Sequence, residues 1–146
     1  MTTVRNLLEI KGKDIWSVGP DATVYEALRL MADKDIGALV VMQGDQMVGI
    51  VSERDYARKI ILHGKSSRDT LVREVMTSRV FTIHPDQTIE EVMELMTKKR
   101  VRHLPVTEGD QLIGVISIGD VVKDVIYHQR KVISSLEDKV YKREQP

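Results

Sequence analysis

Gly44-Asp45-Gln46-Met47-Val48-Gly49-Ile50-Val51-Ser52-Glu53-Arg54-Asp55 returns 65 residues later as Gly109-Asp110-Gln111-Leu112-Ile113-Gly114-Val115-Ile116-Ser117-Ile118-Gly119-Asp120. Both copies run from a turn through an apolar stretch to Ser-x-x-Asp. Working outward, the same offset carries Pro20-Asp21-Ala22-Thr23 onto Pro85-Asp86-Gln87-Thr88, Met31 onto Met96, Leu39 onto Leu104 and Val41 onto Val106, with no insertion. Self-similarity at a fixed period marks one supersecondary unit used twice, neither copy needing to bury its apolar face alone.

Each copy reads as a helix, two strands and a second helix. Val24, Ala27, Leu28 and Met31 share one helical face, with Thr23 as N-cap; Thr88 precedes Ile89, Val92, Met93 and Met96 in the same way. Gly37 to Met42 is a short continuous apolar run, the pattern of a strand covered on both faces. Gln43-Gly44-Asp45-Gln46 turns it into Met47–Val51, and Leu104–Thr107 pairs with Leu112–Ile116 across the second turn. Ser52 and Ser117 stand at strand ends as N-caps. The helix after Ser52 is expected to stop at Gly64, whereas Asp120 to Gln145 contains no glycine or proline and carries an apolar stripe through Val122, Val125, Ile126, Val132, Ile133, Leu136 and Val140. That extra face suggests a second subunit. The expected division is a first repeat with its N-terminal segment at 1–64, a connector at 65–71, a second repeat at 72–128 and a helical extension at 129–146.

Composition narrows the function classes. The 146 residues carry 22 basic and 22 acidic side chains, which argues against nucleic-acid binding by bulk charge. No apolar run approaches a membrane span and no signal-peptide pattern opens the chain, so a cytoplasmic location is expected. Cysteine is absent, and His63, His84 and His128 lack ligand spacing, so no metal site is expected. Phosphate-binding Gly-x-x-x-x-Gly-Lys, dinucleotide Gly-x-Gly-x-x-Gly and His-Glu-x-x-His patterns are missing, and no catalytic residue is assigned.

The chemistry resides in the paired Ser-x-x-Asp. A helix N-terminus offers free N–H groups and a positive dipole end for phosphate, and the aspartate can accept two hydrogen bonds from a ribose diol. The plain alternative is a capping arrangement with no ligand, which duplication alone would preserve. Trp16 could likewise be an aromatic stacking platform or a cover for the core edge, and Lys98-Lys99-Arg100 reads as a solvated helix end.

With these residues in view, Gly49-Ile50-Val51-Ser52-x-x-Asp55 and Gly114-Val115-Ile116-Ser117-x-x-Asp120 resemble the cystathionine-β-synthase (CBS) domain family. Val72–Thr77 resembles its opening segment and Arg102-His103-Leu104-Pro105-Val106 its second strand. The resemblance spans about residues 10 to 130 and implies an α/β fold: two βαββα-type repeats packed pseudo-symmetrically through their sheets (a Bateman module), ending here in a long C-terminal helix. It implies two clefts for adenosine-containing ligands. One would use Trp16, Ile36, Gly37 and Ala38 for the base, Ser117 and Asp120 for the ribose, and Arg102 and His103 toward phosphate. The other would use Thr77, Phe81, Val101, Arg102 and Pro105 on the base side, with Ser52, Arg54 and Asp55. Glu53 would oppose a polyphosphate in the second, so the Asp120 cleft is favoured.

The function implied is a regulatory module needing no cofactor. It would bind AMP, ADP, ATP or NAD(H), form a homodimer and signal to an unidentified downstream protein without membrane or nucleic acid. A ligand-free dimerisation scaffold is the alternative, followed by an S-adenosylmethionine sensor or a nucleotide-processing enzyme.

Overall fold

The computed structural model describes residues 2–144, with side chains to Tyr141. The elements run α1 (Val4–Lys11), β1 (Ser17–Val18), α2 (Val24–Lys34), β2 (Ala38–Gln43), β3 (Gln46–Ser52), α3 (Glu53–Asp55), α4 (Val72–Val75), α5 (Ile89–Lys99), β4 (His103–Glu108), β5 (Gln111–Ser117) and α6 (Ile118–Glu144). After α3 the chain continues as a π turn over Tyr56–Ile60 and a 3-10 turn over Ile61–His63, ending at Gly64 in the left-handed region. The helix expected after Ser52 is therefore present but locally unwound. In the first repeat β1 pairs parallel to β2, and β2 antiparallel to β3; in the second, β4 and β5 form the matching hairpin. The β1 position of the second repeat is reduced to a single parallel bridge, Ile83 to Val106.

Local chemistry fixes the helix starts. Thr23 accepts from the Glu26 amide while Glu26 reaches back to the Thr23 amide, and Thr88 caps α5 through the Glu91 amide. Gly44 and Gly109 adopt positive φ at the two hairpin turns. Along β2, Ala38 through Val41 are all buried, as a strand covered on both faces requires.

The opening helices are exchanged between the repeats. Val4, Leu7 and Leu8 of α1 pack with Ile83, Ile89, Val92, Leu104, Ile116 and Val121 of the second repeat. Val72 and Val75 of α4 pack with Val24, Ala27, Met31, Leu39, Val51 and Ile60 of the first. Backbone bonds repeat the exchange: Val4 donates to Gln87 and Arg5 to Pro85, while Val72 donates to Ala22 and Arg73 to Pro20. Thus α1 and α4 correspond at an offset of 68, three more than the rest of the repeat. The connector docks as well, since Val24 donates to Thr70, Tyr25 to Ser67, and Arg68 stacks over the Tyr25 ring.

Candidate functional site

Both Ser-x-x-Asp turns fold as reciprocal caps. Asp55 Oδ2 accepts from the Ser52 amide at 2.9 Å and its hydroxyl at 3.1 Å; Asp120 Oδ2 accepts from the Ser117 amide at 2.8 Å and its hydroxyl at 2.9 Å. Each aspartate is thereby fixed at the mouth of a helix, its carboxylate held in one orientation. The surroundings differ. Lys59, one turn on, meets Asp55 Oδ1 at 3.1 Å and donates to the Val75 carbonyl at 2.7 Å. Asp120 is met from another element: Lys11, the last residue of α1, sits 2.6 Å from Asp120 Oδ2 and also bonds the Val115 carbonyl.

The large cavity, about 880 Å³, opens beside Asp55. Its walls include Gly37, Ala38, Ser52, Arg54, Asp55, Thr77, Phe81, Val101, Arg102 and His103, so most of the residues singled out in sequence converge here. Trp16, Ile36, Pro105, Ser117 and Asp120 are not part of its lining. Trp16 is 39% exposed under the Lys34 ammonium, 4.2 Å from the ring centroid. Pro105 is buried, its carbonyl bonded by the Ile83 amide. The Asp120 cleft is the favoured one in sequence, whereas the 880 Å³ cavity lies beside Asp55; each carboxylate carries a lysine, Lys59 at Asp55 and Lys11 at Asp120.

Thr77 pairs through its backbone with Ile50 of β3, which brings Arg79, Val80 and Phe81 along the same wall. Opposite them, the left-handed Arg100 turns the chain from α5 toward β4. Arg54 spans the gap, donating to the Arg100 carbonyl at 3.2 Å. Lys99 lies over the Phe81 ring at 5.1 Å. The two repeats meet closely near Gly37, where a Cβ would lie 3.3 Å from His103 Cε1. A side chain there would require the His103 ring to give by a few tenths of an ångström.

Sequence reasoning missed Arg58, Lys59, Arg79 and the cavity role of Lys99 and Arg100. With them the walls carry Arg54, Arg58, Lys59, Arg79, Lys99, Arg100 and Arg102 against Glu53 and Asp55. In a chain of formal net charge +0, that clustering concentrates positive potential on one cleft. Arg79 holds the position equivalent to Lys11 at the offset of 68, a signal visible once the exchanged helices are aligned separately.

Burial lowers the His103 pKa, aided by the Lys11 charge and opposed by Asp120. Its neutral imidazole form is therefore favoured. For Asp120, burial by itself would raise the pKa, but hydrogen bonds from Lys11 and Ser117 outweigh it and hold the carboxyl below its ordinary range. A folded pKa below the unfolded one contributes stability above the unfolded value, lost as pH falls through the folded one. Lys11→Met is therefore expected to move the Asp120 midpoint upward in a carboxyl-carbon NMR titration. An unmoved midpoint would remove Lys11 from this account.

Two pseudo-symmetric α/β repeats, each ending its hairpin in a capped Ser-x-x-Asp, define a tandem-repeat α/β module. The chain belongs to the CBS domain family, whose model matches residues 7–62 and 72–127. It is 40% identical over 145 residues to the mitochondrial CBS domain-containing protein CBSX3 of Arabidopsis thaliana, covering 92% of this chain and 70% of that protein. A solved structure from Burkholderia ambifaria, described as a candidate signal-transduction protein with CBS domains, shares 51% identity at a TM-score of 0.85. The match covers 88% of this chain and 96% of that one. An inosine-5'-monophosphate dehydrogenase of Methanocaldococcus jannaschii is 35% identical over 128 residues, 86% of this chain but 25% of that enzyme. Among the described residues no helix is long and apolar enough to cross a membrane.

Proposed function

We propose that this chain is a non-catalytic, cytoplasmic regulatory module that binds an adenine nucleotide, AMP, ADP, ATP or NAD(H), in the cleft beside Asp55. It passes occupancy to a partner protein or through its own oligomer. The observation that carries this reading is the union of a fixed diol acceptor, Ser52 and Asp55, with a wall of arginine and lysine in one 880 Å³ space. That volume lies within the roughly 300–1,000 Å³ of small-molecule sites. The base would rest against Thr77, Phe81 and Val101, the ribose on Asp55, and the phosphates among Arg102, Arg79 and the Lys99-Arg100 turn.

The same charge ranks the ligands. Polyphosphate gains from every cation on the wall, whereas the sulfonium of S-adenosylmethionine meets like charge. The fold itself accommodates adenosyl compounds: a CBS pair of protein MJ0100, 22% identical with a TM-score of 0.77, was solved with 5'-methylthioadenosine and S-adenosylmethionine.

A thermal-shift screen with AMP, ATP, NADH and S-adenosylmethionine tests the proposal. A ligand at about a hundred times its Kd stabilises the native state by about 2.7 kcal/mol, or about 5–10 °C in a domain of this size. The expected order is ATP above AMP, with S-adenosylmethionine last. No shift with any of them at millimolar concentration would favour the ligand-free scaffold instead.

A further inference from the structure

Of the chain's four histidines, His103 lines the cavity and His63, His84 and His128 do not. It begins β4 directly opposite Ser117, so it borders both the Asp120 turn and the cleft beside Asp55. At the 65-residue offset the first repeat has Ala38 in this place, so the titratable group faces the cleft from one repeat only. His84 and His128 spend ring nitrogens on the Asp86 amide and the Thr2 hydroxyl. Neither ring nitrogen of His103 has a partner among the described residues. Since these leave no fully buried side-chain nitrogen unpaired, both are reachable from solvent.

The charges around this ring are unbalanced. Lys11 of α1, Arg102 of its own strand and Asp120 of α6 act on it directly. The cavity side adds Glu53, Arg54 and Asp55 of α3, Arg58 and Lys59 of the π turn, Arg79, and the Lys99-Arg100 turn. Cations outnumber carboxylates on both sides. We propose that His103 couples proton uptake to anion binding: when a phosphate-bearing ligand enters the cleft, the imidazole takes one proton from solvent and donates it in a hydrogen bond to a phosphate oxygen. This rests on the reading above that the Asp55 cleft receives phosphate. In the protein alone, burial and the Lys11 and Arg102 charges favour the neutral ring, with Asp120 opposing them. An anion in the cleft reverses that balance, because opposite charge nearby favours the protonated form. A charge-assisted bond to phosphate adds to the reversal. Linkage is reciprocal, so acid tightens anion binding, and the gain is lost as pH rises through the midpoint of the bound form.

An NMR titration of the histidine Cε1 carbons of the full chain tests this, with the His103 signal identified by its loss in His103→Gln. It is run in chloride, in sulfate of equal ionic strength, and in chloride with millimolar NADH. Neither sulfate nor the pyrophosphate of NADH exchanges a proton between about pH 6 and pH 8, whereas a terminal phosphate loses its last one near about pH 6. The His103 midpoint is expected to rise with sulfate and with NADH, while those of His63, His84 and His128 stay in place. By equilibrium dialysis the NADH Kd should be about tenfold weaker at pH 8 than at pH 6, and His103→Gln should abolish that dependence. A midpoint raised by sulfate, with NADH changing neither midpoint nor thermal stability, would sustain the coupling and remove the adenine nucleotide. NADH that binds with an unmoved midpoint and a flat pH profile would overturn the coupling and leave the nucleotide reading in place. A midpoint that neither anion moves would overturn it as well.

Discussion

A Leu8→Ala variant is expected to lose about 3 kcal/mol of unfolding free energy, which lowers the melting temperature by about 10 °C. Leu8 is 1% exposed, and it is not packed against the repeat that follows it in sequence. It lies so close to β5 that a Cβ on Gly114 would come within 2.6 Å of its Cδ2. Removing three heavy atoms there opens a void walled by two elements held by their own hairpin, which cannot collapse to fill it. An eight-residue helix has no independent stability, so α1 stays folded only through that contact and its bonds to Pro85 and Gln87. Ile10 on the same helix, 76% exposed, serves as the control: Ile10→Ala is expected to change stability by less than about 0.5 kcal/mol. Urea denaturation of the three proteins decides it. A Leu8→Ala loss below about 1 kcal/mol would mean that the exchanged helix is dispensable to the second core.

The parts of this fold legible in sequence are those whose signals are local. The 65-residue offset, the caps Thr23 and Thr88, the turns at Gly44 and Gly109 and the two Ser-x-x-Asp turns all depend on neighbours a few residues away. What escaped reading depends on long-range placement. Helix α1 has only Val4, Leu7 and Leu8 on its apolar face, and its core lies some eighty residues further along the chain. The preference for Asp120 rested on Gly37-Ala38 and on the adverse charge of Glu53. It could not foresee that Lys11 would reach the Asp120 carboxylate from another element. Lys99 and Arg100 read as a solvated helix end because helix ends usually are. Only the left-handed turn at Arg100 aims that run at a cavity.

An Asp55→Asn substitution is expected to weaken nucleotide binding by about 10- to 100-fold in equilibrium dialysis with ATP, and to erase most of the ATP-induced thermal shift. A hydrogen bond to a charged acceptor contributes about 1.5–3 kcal/mol, and a ribose diol makes two such bonds to one carboxylate. Asparagine keeps one accepting oxygen for the Ser52 amide, so the cap survives and the fold with it. Its amide nitrogen donates where the diol also donates, and that conflict falls on the ligand alone. The carboxylate further balances Lys59, which in the variant is free to turn toward phosphate. The loss should therefore be largest for AMP, with a single phosphate to recover the difference, and smaller for ATP. Asp120→Asn measured in parallel decides between the clefts. A large loss there with little at Asp55 would return the site to the Asp120 side and require Lys11 to move on binding. Equal small losses at both would mean that the two turns are caps and nothing more.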